Sequence, residues 1–520
     1  MVTLNRNLAD TFLSTCASYP NKIVIQSSGA SYTYSELLNE VNALVGHLKM
    51  QGIKRGDRVA IYMDNTWPCV VSIFATILTG AVFLIINPQT KNEKLKYILD
   101  DSGSKFFLSD SHLKQFFLDV VNHSNTITDV YCSGNDPDIT FDNINSHVFE
   151  NIAGQVNSIT AYENDVVGND LAGLIYTSGS TGFPKGVMQS HQSMLFSIGS
   201  LSEYLRLSHS DKIINFLPFA FDYGLYQLLF TIYLGATLIL ERSFTYPAVV
   251  YKLIKDAEVT VFPGVPTIYS MLINSHAKKA LSFPCVTRVT NTAAALPAEY
   301  VSKLQEIFPN ALIYKMYGLT ECKRVCYLEP EIVHTHPSSV GKAIPGTEIF
   351  LLDENDNPVQ VGNEGILHVR GPHIMMGYWN KPDESKKMLK QGKWPGEKIL
   401  CTHDLFKLDE NNLLYFIGRS DDIIKTRGEK VSPIEVENVL HSIEGINDAA
   451  VIGVPDDVLG EVIHAFVSLS GNKEIEMRDI KKTCVNKLEN FMVPAKYHIL
   501  KKLPKSSNGK IDKKGLQEYI

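Results

Sequence analysis

The sequence predicts an α/β protein: a large N-terminal domain of stacked mixed sheets with flanking helices plus a β-rich subdomain, and a small α+β C-terminal lid. Three observations predict it. Strands and amphipathic helices alternate through the first part of the chain. Short strands separated by Asp, Asn and Gly turns crowd residues 348–416, and a compact helix–strand–strand–helix pattern follows residue 422. Alternation argues for a mostly parallel sheet, because parallel neighbours need a crossover connection. The expected division is 1–420 and 421–520, with the β-rich subdomain at about 340–418.

Each element has a local reason. Thr33-Tyr-Ser-Glu36 is a capping-box pattern, in which each end residue satisfies the other's backbone N–H. It opens a run with Leu37, Leu38, Val41, Leu44, Val45 and Leu48 at helical spacing. Residues 58–63 then read as a strand. Residues 65–90 carry no charge, yet Gly80 splits them and polar residues interrupt them. They read as a buried helix (67–79) and a buried strand (81–86), not as a membrane span. A helix at 94–101, a strand at 105–108 and a buried strand at 171–176 follow. Short strands are expected at 348–352, 365–370 and 413–416, and a polar linker at 418–422. The C-terminal pattern gives a helix near 433–442, strands near 449–453 and 464–468, and a helix near 477–488.

Composition excludes some classes. The chain is 44% hydrophobic and 20% charged, with a formal net charge of -7. Such a balance speaks against nucleic acid or an anionic membrane as partner. The eight cysteines form no C-x-x-C. Reduced thiols and a cytoplasmic location are expected, and the N-terminus lacks the apolar core of a signal peptide.

The chemistry begins at Leu174-Ile-Tyr-Thr-Ser-Gly-Ser-Thr-Gly-Phe-Pro-Lys-Gly-Val187. Glycines let a backbone approach closely, hydroxyls and amides donate, and lysine adds charge, so the loop suits phosphate. No glycine lies directly before Lys185, so the Walker A spacing fails. A second segment, Met316-Tyr-Gly-Leu-Thr-Glu-Cys322, suits a nucleotide. Tyr317 can stack on a base, Thr320 can bond a phosphate, and Glu321 can hold Mg²⁺, which takes one or two carboxylates plus substrate phosphates. A third is Thr402-His-Asp404 with Arg419 downstream, and a fourth is Leu503-Pro-Lys-Ser-Ser-Asn-Gly-Lys-Ile-Asp512. An Asp can accept from both ribose hydroxyls and an Arg can bridge ribose and phosphate.

Together these segments resemble the acyl-adenylate-forming superfamily of acyl-CoA synthetases, luciferases and nonribosomal peptide synthetase adenylation domains. The resemblance implies that Thr177, Ser178, Gly179, Ser180, Thr181 and Lys185 enclose the ATP phosphates. It places Ala294, Tyr317, Gly318, Thr320, Asp404 and Arg419 at the nucleotide, Glu321 at Mg²⁺ and Asp421 at a hinge. Lys510 becomes the lysine that touches the substrate carboxylate and the α-phosphate. An ammonium there offsets charge built up in phosphoryl transfer. The family usually has glycine where His403 stands. Lys425 is implied to face the site when the lid rotates.

Phe219-Ala-Phe-Asp-Tyr-Gly-Leu-Tyr226 bears on the substrate. In peptide synthetase domains the position of Asp222 pairs with the substrate ammonium. Tyr223, Tyr226, Thr290, Thr292, Met316 and Val325 are the other expected wall residues. Gly318-Leu-Thr-Glu-Cys-Lys-Arg-Val325 resembles freestanding proline-activating ligases, which load a separate carrier protein for natural-product assembly. The expectation is therefore an L-proline–[peptidyl-carrier protein] ligase using ATP and Mg²⁺. No carrier domain precedes or follows, so the phosphopantetheine arm is expected in trans. Lys430-Val-Ser-Pro433 looks more like the acyl-CoA synthetase branch, and an acyl- or aryl-CoA ligase is the alternative. A non-enzymatic nucleotide-binding protein is the third reading; the intact motifs oppose it.

Overall fold

The computed structural model describes residues 5–520 except 28, 135, 137, 142, 153–164, 178–183, 420–421, 427–428, 457–458, 470–474, 506–509 and the side chain of Lys430. The molecule is a mixed α/β fold with a large N-terminal domain and a smaller C-terminal one. Ser178, Gly179, Ser180, Thr181 and Asp421, all expected site or hinge residues, lie outside the described residues.

Two sheets dominate the N-terminal domain. In one, Leu171–Thr177, Val82–Ile85, Arg58–Tyr62, Phe106–Asp110, Asp129–Ser133 and Asn145–Val148 run parallel in that spatial order, with antiparallel Lys185–Ser190 and Gly377–Tyr378 added at one edge. In the other, Leu312–Tyr317, Arg288–Asn291, Val261–Gly264, Lys212–Asn215, Thr237–Leu240 and Ile23–Ser27 are parallel neighbours. A single apolar core joins the facing sides of both sheets through helices.

The uncharged stretch resolves as expected. Helix Trp67–Leu78 is buried from Cys69 through Leu78, and strand Val82–Ile85 is buried throughout. Phe74 stacks on Phe12 with centroids 4.7 Å apart. Each such fully buried side chain contributes roughly 1.5–3 kcal/mol through water exclusion. Among the described residues no helix is long and apolar enough to cross a membrane. The capping box also forms: Glu36 N–H donates to Thr33 Oγ1 at 3.2 Å, and Thr33 N–H to Glu36 Oε2 at 2.7 Å.

A third sheet contains Glu348–Leu352, Glu364–Arg370, Lys398–Leu408, Leu389–Gln391 and Leu414–Arg419. Here the sequence reading needs correction. Residues 402–404 lie inside the long strand Lys398–Leu408, and the expected linker at 418–422 begins as ordered strand through Arg419. Strand pairing of Asp404 with Arg419 overrides the polar, turn-like composition.

The C-terminal domain has its own sheet and core. Strands Ile446–Asp456 and Gly460–Leu469 form a hairpin longer than the two short strands expected. Helices Pro433–His441 and Met477–Lys487 cover it. It docks on the N-terminal domain by polar contacts: Ser270 Oγ and Asn274 Nδ2 both donate to Asn447 Oδ1, at 2.8 and 2.7 Å.

Candidate active site

A cavity of about 1110 Å³ lies where the ends of the two large sheets meet the third sheet and the C-terminal domain. Ligands in open α/β sheets bind at such carboxyl ends. Thr177 lies on its wall, at the end of Leu171–Thr177. The next strand begins with Lys185, in register opposite Thr177. The Lys185 ammonium sits 5.3 Å from the Tyr378 ring centroid, and Tyr378 donates its hydroxyl to Glu321 Oε1 at 2.6 Å. Lys185 and the Glu321 carboxylate therefore meet at Tyr378. Burial, and then Glu321, push the Tyr378 phenol above its ordinary range.

The segment 316–321 lines the cavity as strand Leu312–Tyr317 ends. Gly318 is required by packing, since a Cβ there would fall 2.3 Å from the Lys323 carbonyl oxygen. The Thr320 carbonyl accepts from Gln189 Nε2 at 3.1 Å. Tyr317 donates to Asp404 Oδ2 and packs edge-on against Phe406 at 4.8 Å. Arg419 Nε lies 3.5 Å from Asp404 Oδ1. His403 takes φ 56°, in the left-handed region. The backbone keeps the conformation that favours glycine, and the Asp404 carboxylate stays in place.

Lys510 reaches this wall from the C-terminal domain and retains solvent access. Protein packed around it pushes its pKa down, and Arg419 adds to this. Asp222, Asp404 and Glu321 act in the opposite direction. Lys510 thus shares one electrostatic neighbourhood with Asp222, Asp404 and Glu321. Ala294 also lines the cavity, and its carbonyl accepts from Asn291 Nδ2 at 3.1 Å. Lys425 is exposed and lies off the cavity wall.

At the other end, Asp222 opens helix Asp222–Leu234, half-buried on the wall with Thr292 and Met316. The positive end of the helix favours a carboxylate there. Tyr223, Tyr226, Thr290 and Val325 are not wall residues in the structure. Tyr223 turns away to donate to Thr290 O at 2.7 Å, and Val325 joins the apolar core beneath. Lys323 and Arg324 take their place, only 2% and 5% exposed. The left-handed backbone at Lys323, φ 63°, re-aims the loop. Burial lowers the Lys323 ammonium to about 8, with Asp222 and Glu321 opposing the shift. The sequence reading missed both. A Lys-Arg pair inside the otherwise apolar Cys322–Cys326 stretch was the available signal. Tyr378 and Gln189 carried none, being far away in sequence.

Comparison with known proteins decides the family. The AMP-binding enzyme model matches residues 12–379, and the AMP-binding enzyme C-terminal domain model matches 435–510. The chain belongs to the AMP-binding enzyme family. This AMP-binding enzyme is 29% identical over 539 aligned residues to a long-chain-fatty-acid–CoA ligase of Bacillus subtilis, covering 99% of this chain and 94% of that one. It is 28% identical to gramicidin S synthase 2 of Brevibacillus brevis, covering 99% of this chain and 11% of that much longer protein. Among solved structures, the anthranilate CoA ligase AuaEII in complex with anthranoyl-AMP superimposes with a TM-score of 0.91 at 24% identity, covering 100% and 98% of the two chains. The enzyme is an adenylate-forming ligase.

Proposed function

We propose that this AMP-binding enzyme activates an amino acid, L-proline, as its adenylate and passes it to the phosphopantetheine thiol of a separate peptidyl carrier protein. The observation that carries the amino-acid reading is Asp222. It is a half-buried carboxylate on the cavity wall, in the same electrostatic neighbourhood as Lys510. A substrate ammonium gives that carboxylate a partner while the reacting carboxylate turns toward Lys510.

The first step joins a carboxylate oxygen to the α-phosphorus as the bond to pyrophosphate breaks. Lys510 offsets the charge gathering between them. Thr320 bonds the α-phosphate, and Tyr317, Asp404 and Arg419 hold base and ribose. Thr177 and Lys185 hold the β- and γ-phosphates. Glu321 fits Mg²⁺: it is a cavity carboxylate steadied by Tyr378 on one oxygen. Bound there, the ion would neutralise phosphate charge. In the second step the thiol sulfur adds to the acyl carbon and AMP leaves, with the thiol proton passing to solvent. The C-terminal domain rotates about Asp421 to admit the thiol. Eight free cysteines fit a reducing compartment, and the cytoplasm is the proposed location.

The second reading is a CoA ligase. It is favoured by the fatty-acid–CoA ligase relative, which matches this chain along nearly its whole length. Mass spectrometry of the thioester product separates the two. With L-proline and ATP, the proposal expects prolyl thioester on a phosphopantetheinylated carrier protein and none on CoA. Product on CoA alone contradicts it.

A further inference from the structure

We propose that Asp448 is a positioning residue for Lys510. It fastens the neck of the Lys510 loop, through Lys505, to the interface where the C-terminal domain docks, so that docking and delivery of the lysine are one event. The inference rests on the reading that Lys510 serves adenylation.

Lys510 directly precedes the point where its loop closes. Lys505 and Ile511 form an antiparallel bridge, and Asp512 N–H donates to Pro504 O at 2.9 Å. Leu503 and Ile511 pack with Ala450, Ile452 and Phe466 in one apolar cluster. That contact seats the neck but does not aim it, because apolar burial is non-directional. Asp448 supplies the direction. It stands two residues before Ala450 on strand Ile446–Asp456, hence on the same face. The residue is 7% exposed, and Lys505 Nζ donates to its Oδ1 at 3.1 Å and lies 3.0 Å from its Oδ2. Asn447 Nδ2 and Ser468 Oγ donate to that Oδ2 at 3.0 and 3.3 Å, which fixes the plane of the carboxylate.

The N-terminal domain grips the same asparagine. Asn447 Oδ1 accepts from Ser270 and Asn274 on helix Pro266–Lys278, while its Nδ2 serves Asp448. One amide thus joins the docking contact to the ion pair at the neck. Beyond the loop, Lys513 pairs with Glu437 at 2.8 Å, so both flanks are held. Without the Asp448 pair the neck keeps its apolar seat and loses its aim. A displacement of about 1 Å at a reacting group costs about 10²-fold in rate.

ATP–pyrophosphate exchange tests this with the twenty amino acids and straight-chain acids from acetate to decanoate. The proteins are the wild type, Lys505→Met, Lys505→Arg, Asp448→Asn, Lys510→Ala and the Lys505→Met, Lys510→Ala double variant. With the most active acid, Lys505→Met and Asp448→Asn should each lower kcat at least about tenfold, with KM for ATP changed less than about twofold. Lys505→Arg, which keeps the charge, should recover most of the rate. Once Lys510 is absent, Lys505→Met should cost less than about twofold more, because residues acting through one group are not additive. An undiminished kcat in variants that melt like the wild type overturns the proposal, and so does an equal loss with and without Lys510. Lys505 is one-third exposed, so its replacement spares the core, and Asp448→Asn carries the same prediction should it misfold. Hydrogen exchange needs no substrate. Asp448→Asn should speed it at least about tenfold at Ile511 and Asp512 and leave strand Gly460–Leu469 within about twofold. Unchanged protection at 511–512 overturns the proposal even if no acid proves active. Wild-type exchange activity in Lys510→Ala sinks the Lys510 reading alone, since the hold on the loop is read separately.

Discussion

Tyr317 donates its phenolic hydrogen to Asp404, joining the end of a strand in the second large sheet to the middle of a strand in the third. The bond places an aromatic face and a carboxylate side by side on one cavity wall. A hydrogen bond to a charged acceptor contributes about 1.5–3 kcal/mol. Tyr317→Phe keeps the ring and frees the carboxylate to turn. Steady-state kinetics should show KM for ATP rising about tenfold, with kcat changed far less. A kcat loss with KM unchanged contradicts the positioning role.

Lys510 is the cation brought to the cavity by the C-terminal domain. Lys510→Ala should slow adenylation by about 10²–10³-fold, the loss seen when one transition-state donor is removed. Thiolation of preformed acyl adenylate should change little, because that step follows the departure of pyrophosphate. Rapid-quench measurement of each half-reaction checks this. Equal loss in both steps contradicts a rotating C-terminal domain.

His403 holds a left-handed backbone at φ 56°. A non-glycine residue there stores about 1–2 kcal/mol, and glycine gives back roughly 0.5–1 kcal/mol through a freer unfolded chain. His403→Gly should therefore be stabilising by about 0.5–1 kcal/mol, seen as a melting midpoint about 1 °C higher. A lower midpoint would mean the imidazole itself holds the strand.

His191 and His373 are fully buried, and burial lowers each to about 4. Their unfolded value is about 6.5. The folded state therefore prefers the neutral rings, and protonation favours unfolding. The contribution is complete above about pH 6.5 and is lost as pH falls toward 4. The loss reaches about 3 kcal/mol per histidine at the acid end of that window. The melting midpoint should drop between pH 7.5 and 5, and less in His373→Phe. A flat profile contradicts this.

The architecture was legible because its signals are local. Glu36 follows Thr33 at capping-box spacing, and an uncharged run broken at Gly80 can only be buried. Most of the cavity's lining segments were legible for the same reason, each lying within a few consecutive residues. The Asp222 end was not. Val325, expected on the wall, packs in the apolar core while Arg324 lines the cavity, and no local pattern announces the positive φ at Lys323 beside them. Tyr378 steadies Glu321 across 57 residues of sequence, and no local pattern records that contact. Asp404 stood out as a ribose-type carboxylate, but the strand that holds it is set by pairing with Arg419 and has no local pattern.

The central claim is that this enzyme adenylates an amino acid held by Asp222. ATP–pyrophosphate exchange across the twenty amino acids, in the wild type and Asp222→Ala, tests it most directly. The account predicts strongest exchange with L-proline, lost on Asp222→Ala while the protein still melts cooperatively. Exchange supported by an acid without an amino group and by no amino acid, unaffected by Asp222→Ala, would contradict it.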